Sequence, residues 1–234
     1  MKISYLVTCS TETKTLKNLF EKLILVLPNS EDEAVVLIDS DSVIPETKEI
    51  CNRFLSGSLG QIRLLDHSLS RNYGAHKNWG AEQCNGNWIF QIDGDEVPSE
   101  FTLGDNLHEI IKSNPDMDLI YVPRINDFRG VQDIHAKQWG WHLTISPIYK
   151  RYRVNWPDYQ PRVFLRDPSR IKWDRRLHEK IEGFTNYATL PADEEFALYH
   201  DKTIEKQVET NVRYNQWFTE EENRGHDVFS QKKL

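Results

Sequence analysis

The sequence predicts an α/β fold: a mostly parallel, Rossmann-like sheet flanked by helices, in a single domain. Three observations lead there. Short β-rich runs alternate with helical periodicity through the first half of the chain. The run Ala34-Val35-Val36-Leu37-Ile38 is continuously apolar, as in a strand covered on both faces of a parallel sheet. Acidic turns follow two of the predicted strands, at the end where open parallel sheets bind ligands.

The elements follow in order. Ile3 to Cys9 reads as a buried strand ending in Ser10-Thr11. Thr11 or Thr13 can cap the helix that follows, whose apolar positions Leu16, Leu19, Phe20, Leu23 and Leu27 recur at helical spacing. After the second strand, Pro45 opens a helix carrying Ile50, Phe54 and Leu55, and Gly57 closes it. Gln61 to Leu65 is a third strand, Arg71 to Gln83 a third helix, and Trp88 to Ile92 a fourth strand running into Asp93. Such a β-α-β-α-β-α-β series implies right-handed crossovers and helices on the sheet faces.

The second half is less regular. Leu119 to Val122 and Arg162 to Leu165 read as strands. A helix from Thr203 to about Asn223 has Ile204, Val208, Val212 and Phe218 as its expected inner face. Residues up to about 100 form a nucleotide-binding half, and about 101–234 an acceptor-side half.

Composition narrows the function. The 234 residues suffice for one large core, and 38% hydrophobic with 11% aromatic content excludes a disordered chain. A net charge of −7 argues against nucleic-acid partners and wholesale binding to anionic lipid. Between Lys150 and Lys180, however, ten Lys/Arg stand against four Asp/Glu. That is either a solvated, paired face or a phosphate site, depending on whether it faces a pocket. Three cysteines, Cys9, Cys51 and Cys84, without metal-ligand spacing fit a reducing compartment. No apolar run approaches a membrane span. The expectation is a soluble, cytoplasmic protein, with peripheral membrane association left open.

Several residues carry candidate chemistry. Asp93-Gly94-Asp95 projects two carboxylates from a strand end and is either a metal site, since Mg²⁺ or Mn²⁺ favours carboxylates together with substrate phosphates, or an acidic turn that simply solvates its loop. Asp39-Ser40-Asp41 either accepts hydrogen bonds from a base or ribose, or serves as a turn before Pro45. Arg71 and Lys77 lie at a helix start, where anions are favoured, unless both are simply solvated. Glu179, within Arg175-Arg176-Leu177-His178-Glu179-Lys180, is either a general base or part of a surface salt-bridge cluster. His200 in Leu198-Tyr199-His200-Asp201 is a candidate further metal ligand or a structural histidine.

The ordered series Asn72-Tyr73-Gly74-Ala75-His76-Lys77-Asn78, Gly86-Asn87-Trp88-Ile89 and Asp93-Gly94-Asp95-Glu96 resembles the family 2 glycosyltransferases of GT-A fold. Within them it is similar to the branch of lipopolysaccharide-core glucosyltransferases. Pro123 to Gly130, Arg162 to Leu165, Leu177-His178-Glu179, and His200 followed by a helix with Arg213-Tyr214 fit the same pattern.

The resemblance implies a nucleotide-sugar donor, a UDP-sugar ahead of GDP- or dTDP-sugars, a divalent metal, Mn²⁺ or Mg²⁺, and inversion by single displacement. It implies metal on Asp95, with Asp93 touching the ribose or the metal's water, next to Gly94. Asp39 would read the base beside Thr8, Cys9 and Asp41, Lys77 and Arg71 would lie near the diphosphate, and Glu179 would be the catalytic base. His200 would be a further metal ligand.

The turn Asp39-Ser40-Asp41-Ser42 departs from the family's Asp-Asp/Asn-Gly-Ser, and the first strand ends without the usual Asn or Glu. No Gln-x-x-Arg-Trp motif occurs, so one sugar per encounter is expected, passed to a carbohydrate or glycolipid hydroxyl. Trp139, Trp141, Tyr152, Trp156 and Tyr159 would supply flat faces for the acceptor unless they form ordinary core. The alternatives are a non-catalytic sugar-nucleotide or glycan-binding module on the same fold and, more weakly, a sugar-phosphate nucleotidyltransferase. The latter usually carries a Gly-rich basic loop where this chain has Ser10-Thr11-Glu12-Thr13.

Overall fold

A computed structural model describes residues 1–57, 60–146 and 150–223. The first half forms β1 (Ile3–Cys9), α1 (Lys14–Val26), β2 (Glu33–Asp39), α2 (Pro45–Ser56), β3 (Ile62–His67), α3 (Tyr73–Gln83) and β4 (Trp88–Asp93). The second half adds β5 (Glu96–Pro98), α4 (Gly104–Lys112), β6 (Leu119–Val122), β7 (Arg124–Arg129), α5 (Asp133–Trp139), β8 (Leu143–Ile145) and β9 (Tyr152–Val154). It continues with β10 (Gln160–Leu165), β11 (Lys172–Asp174), β12 (Lys180–Glu182), β13 (Tyr187–Thr189), β14 (Leu198–Thr203), α6 (Ile204–Trp217) and α7 (Glu220–Asn223).

The main sheet has the order β13-β6-β10-β4-β1-β2-β3, and β1 to β4 pair in parallel as the alternation predicts. β10 enters antiparallel between β4 and β6, which brings Arg162 beside the end of β4. Alternation along β1 feeds two cores. Tyr5 and Val7 meet Leu16, Leu19 and Leu23 of α1, where Phe20 also stacks on Phe54 of α2, while Leu6 faces Ala81 of α3 with Phe164 and Trp173. A second sheet, β5-β14-β7-β9-β8, holds β14 beside β5 and therefore His200 opposite Glu96. No helix among the described residues is long and apolar enough to cross a membrane.

Two expectations change here. The C-terminal helix stops at Trp217, and a separate short turn, α7, follows. Its inner face also differs: Val208 and Val212 are 44% and 52% exposed, while Ile204 and Thr210 are buried. The inward side of α6 borders a polar cleft rather than a core, so it carries Thr210, Arg213 and Tyr214, and an apolar periodicity could not mark it.

The aromatic residues expected at the acceptor site are also placed elsewhere. Trp139 and Trp141 pack with Phe128, Val131, Val154 and Ile204 in a small core of the second sheet. Trp156 lies under the Arg153 guanidinium, the Tyr159 hydroxyl donates to the Leu190 carbonyl, and Tyr152 is exposed away from the main cleft. A second sheet needs its own apolar filling, and Trp139 and Trp141 supply part of it.

Candidate active site

A cleft of about 800 Å³ opens at the carboxyl ends of β1, β2 and β4, bounded on the far side by β14 and α6. At its floor Thr8 on β1 is in register with Asp93 on β4, and the Thr8 hydroxyl donates to Asp93 Oδ1 at 2.9 Å. Gly94 then lets the chain turn against β1. A Cβ there would meet the Thr8 carbonyl oxygen and the Cys9 Cβ at 3.1 Å, and the Gly94 amide donates to that carbonyl at 2.8 Å.

The two carboxylates of the Asp-Gly-Asp turn have unequal surroundings. Besides Thr8, Asp93 accepts from Gln91 Nε2 at 2.8 Å, from Lys77 Nζ at 3.1 Å and from Arg162 at 2.6 Å. Burial alone would raise its pKa, but Arg162 and Lys77 hold it well below the usual carboxylate range. Its acceptor sites are filled by the protein.

Asp95 contacts His200, whose Nε2 lies 3.2 Å from Asp95 Oδ2. The tautomer follows from the next residues. Asn126 Nδ2 donates to Asp158 Oδ2 at 2.8 Å and to the Val154 carbonyl at 3.2 Å, so Asn126 Oδ1 must face His200 Nδ1, 2.8 Å away. His200 therefore carries its proton on Nδ1, and a neutral ring presents a lone pair on Nε2 to the carboxylate. Two acceptors so placed require a cation between them or a charged imidazole. Ligands about 2.1 Å from an octahedral ion and at right angles lie about 3.0 Å apart, so the 3.2 Å separation admits either a hydrogen bond from a charged imidazole or a shared divalent ion. The described residues contain no group of three or more His, Cys, Asp or Glu side chains able to hold a metal. The remaining ligands would have to be water or substrate phosphates.

Glu179 stands on another part of the wall. Lys77 Nζ donates to its Oε1 at 2.6 Å, and Oε2 has no hydrogen-bond partner among the described residues. Its loop is tightly set. Arg175 and His178 adopt positive φ of 73° and 51°, and the Tyr73 amide donates to the Arg176 carbonyl at 2.9 Å. A Cβ on Gly74 would sit 2.3 Å from the Arg175 carbonyl oxygen, so the close docking of α3 on this loop requires glycine. The Asn78 side chain completes the seam, accepting from the Trp173 amide and donating to its carbonyl.

The other expected donor contacts divide. Asp39 is buried and lines the cleft, but it accepts from the Leu69 and Asp41 amides, both at 3.0 Å, and from the Ser42 hydroxyl. Most of its capacity thus holds the turn. Asp41 is exposed outside the cleft and accepts from Ser68 Oγ and the Ser70 amide. It ties its own turn to the loop between β3 and α3, which supplies both donors. Cys9 lines the cleft with its Sγ 3.8 Å from Cys51 Sγ.

Arg71 is exposed outside the cleft lining, its guanidinium over the Trp217 ring at 5.4 Å. Positive φ at Ser70 and Arg71 ends the loop before α3 begins at Tyr73. Lys77 does reach the cleft, but its ammonium is committed to Asp93 and Glu179.

The basic stretch resolves the same way. Of its ten cations only Arg162 lines the cleft; Arg151 pairs with Asp127, Arg170 with Asp118, and Arg176 with Glu222. Sequence reasoning gave no role to Arg162, Glu96 or Arg124, although an arginine opening a run as apolar as Val163-Phe164-Leu165 signals buried carboxylate partners. It also passed over Glu12, which lines the cleft and accepts from the Ser10 amide. Burial first, and then Asp95, raises the pKa of Glu12. The aromatic rings that do face the cleft are Tyr73, Trp173, Tyr214 and Trp217.

Beside Asp39, His67 and His76 meet Nδ1 to Nδ1 at 3.0 Å. Burial, then the neighbouring His67, depresses His76 to about 4. A histidine with a depressed folded pKa leaves stability intact above about pH 6.5 and erodes it as pH falls toward about 4. The loss there is roughly 3 kcal/mol for a buried group. We expect the melting temperature to fall between pH 7 and 4.5, and His76→Gln to flatten that slope. An unchanged slope would mean His76 is not the responsible group.

A sequence model described as glycosyl transferase family 2 matches residues 4–186. A search of curated proteins found no significant match. Among solved structures, S. aureus TarS 1-349 superimposes with a TM-score of 0.59 at 16% identity, over 86% of this chain and 60% of that one. The same fragment in complex with UDP-GlcNAc gives 0.60 at 18% identity, over 86% and 59%. A further S. aureus TarS structure gives 0.58 at 16%, over 91% and 38%. The chain thus spans about three fifths of the TarS fragment, and at these identities the likeness is one of fold.

Proposed function

Because the chain belongs to glycosyl transferase family 2 and is a glycosyltransferase, we propose that its cleft moves one sugar from a nucleotide-sugar donor to a carbohydrate or glycolipid hydroxyl, with inversion and a divalent metal. The observation that carries this reading is the unequal treatment of the two Asp-Gly-Asp carboxylates. Asp93 accepts from Thr8, Gln91, Lys77 and Arg162, whereas among the described residues Asp95 meets His200 Nε2 alone, at 3.2 Å. Asp95 and His200 would hold the ion, and Asn126 would orient the histidine through Nδ1. When bound, a divalent ion neutralises charge developing on a departing diphosphate. Asp93 is then a support for Lys77 rather than a direct ligand.

Glu179 takes the acceptor proton. Lys77 anchors one of its oxygens, and the other is left for the hydroxyl. Tyr73 and Tyr214, close to Glu179, offer ring faces to an acceptor sugar. The UDP-GlcNAc named with the TarS fragment supports a UDP-sugar as the donor to try first.

A thermal-shift panel of UDP-, GDP- and dTDP-sugars with and without Mn²⁺ tests the reading, since a ligand binding only the folded state raises its melting temperature. We expect a UDP-sugar shift that grows with Mn²⁺, and we expect Asp95→Asn and His200→Ala to lose the Mn²⁺-dependent part alone. Full Mn²⁺ dependence in both variants would remove the metal from this pair.

A further inference from the structure

The two walls of the cleft treat their cations differently. On the strand-end wall each cation has carboxylate partners: Lys77 with Asp93 and Glu179, Arg162 with Asp93 and Glu96, Arg124 with Glu96 and Asp158. Across the cleft, Lys202 at the end of β14 and Arg213 on α6 line the opening, and neither has an ion pair among the described residues.

Arg213 is held by rings instead. Its guanidinium lies 5.8 Å from the Tyr214 ring centroid and 5.4 Å from that of Trp217. Its Nε is buried with no hydrogen-bond partner. With no ion pair and an unpartnered Nε, this guanidinium keeps N–H groups for a planar, bidentate acceptor such as a phosphate. Lys202 supplies a compact charge in the same cleft, within electrostatic reach of Arg213. The Asp95 carboxylate bears on Lys202 more strongly than Arg213 does but forms no ion pair with it, and a bound anion would relieve the repulsion between the two cations. Lys77 is ion-paired with Asp93 and Glu179, and Arg71 stands outside the cleft lining, which leaves Lys202 and Arg213 to meet a phosphate.

We propose that Lys202 and Arg213 form an oxyanion subsite on the α6 wall that takes a phosphate-type group of a substrate. The proposal rests on the reading of the cleft as a nucleotide-sugar site. The group has two possible sources, the donor diphosphate or an anionic substituent on the acceptor.

The test is calorimetric, on the full chain with Mn²⁺. Wild type, Lys202→Met, Arg213→Met, the double variant and Arg213→Lys are titrated with uridine, UDP and inorganic pyrophosphate. After saturation with UDP they are titrated with glycerol phosphate. If the donor is the source, each Met variant loses about tenfold in UDP affinity and the double variant about a hundredfold. Uridine affinity then stays within twofold, which also shows that the variants fold, and Arg213→Lys recovers part of the loss. If the acceptor is the source, UDP affinity is unchanged, while glycerol phosphate binding to the UDP-saturated wild type disappears in the double variant. Equal affinities of wild type and double variant for every probe would overturn the subsite. A wild type that binds pyrophosphate but no uridine or UDP would instead sink the nucleotide-sugar reading, and pyrophosphate loss in the double variant would still support the subsite.

Discussion

Glu179→Gln is expected to lower the rate of sugar transfer by roughly 10²–10⁴-fold, the usual contribution of a positioned general base, and to leave nucleotide affinity within about twofold. The substitution keeps the shape of the side chain, and the amide oxygen can still accept from Lys77 Nζ, which lies 2.6 Å from Glu179 Oε1. Only the capacity to take a proton is removed. Lys77→Met is a different lesion, because Lys77 is buried and also serves Asp93. It should cost stability as well as rate. Single-turnover rates and UDP titrations on both variants separate the two effects. A Glu179→Gln protein that transfers at more than a tenth of the wild-type rate would move the base elsewhere in the cleft.

Arg162→Met is expected to destabilise the fold by about 3–5 kcal/mol, the range for removing one partner of a buried ion pair. Arg162 is 2% exposed and donates to Gln91, Asp93 and Glu96, and Glu96 itself is fully buried. Its removal strands two carboxylates on one side. The measurement is the urea midpoint at constant slope. The pH dependence has a definite sign. Asp93, whose folded pKa is depressed, contributes stability above its unfolded pKa of about 3.9 and loses it as pH falls through the folded value. Without Arg162 that contribution shrinks, so wild type and variant should converge in acid. A loss below about 1 kcal/mol would mean that water reaches and solvates the stranded carboxylates.

Much of the architecture was legible because it is local. The continuous apolar run Ala34 to Ile38 reads as a strand covered on both faces and lies within the fully buried β2, and Pro45 and Gly57 bracket α2 as punctuation should. Strand-end acids were legible for the same reason, since Asp39 and Asp93 directly follow buried residues.

What stayed hidden depends on pairings far apart in sequence. Arg162 reaches Asp93 across 69 residues, and His200 reaches Asp95 across 105. Nothing near Asp93-Gly94-Asp95 indicates that one carboxylate is filled and the other open. Similarly, Trp139 and Trp141 have the composition of a sugar platform, yet a second sheet that periodicity did not reveal uses them as core.

The buried polar contacts around the cleft form one unbroken chain: Glu179, Lys77, Asp93, Arg162, Glu96, Arg124, Asp158, Asn126, His200, Asp95. In evolutionary terms, this chain cannot drift one residue at a time. Each interior charge has neighbours on both sides, so a lone replacement strands at least one of them, while compensated replacements of adjacent members keep the count balanced. Related sequences should therefore change these positions in concert or not at all. A genetic screen starting from a weakened Arg162 variant should recover its suppressors at Asp93 or Glu96, before any surface position.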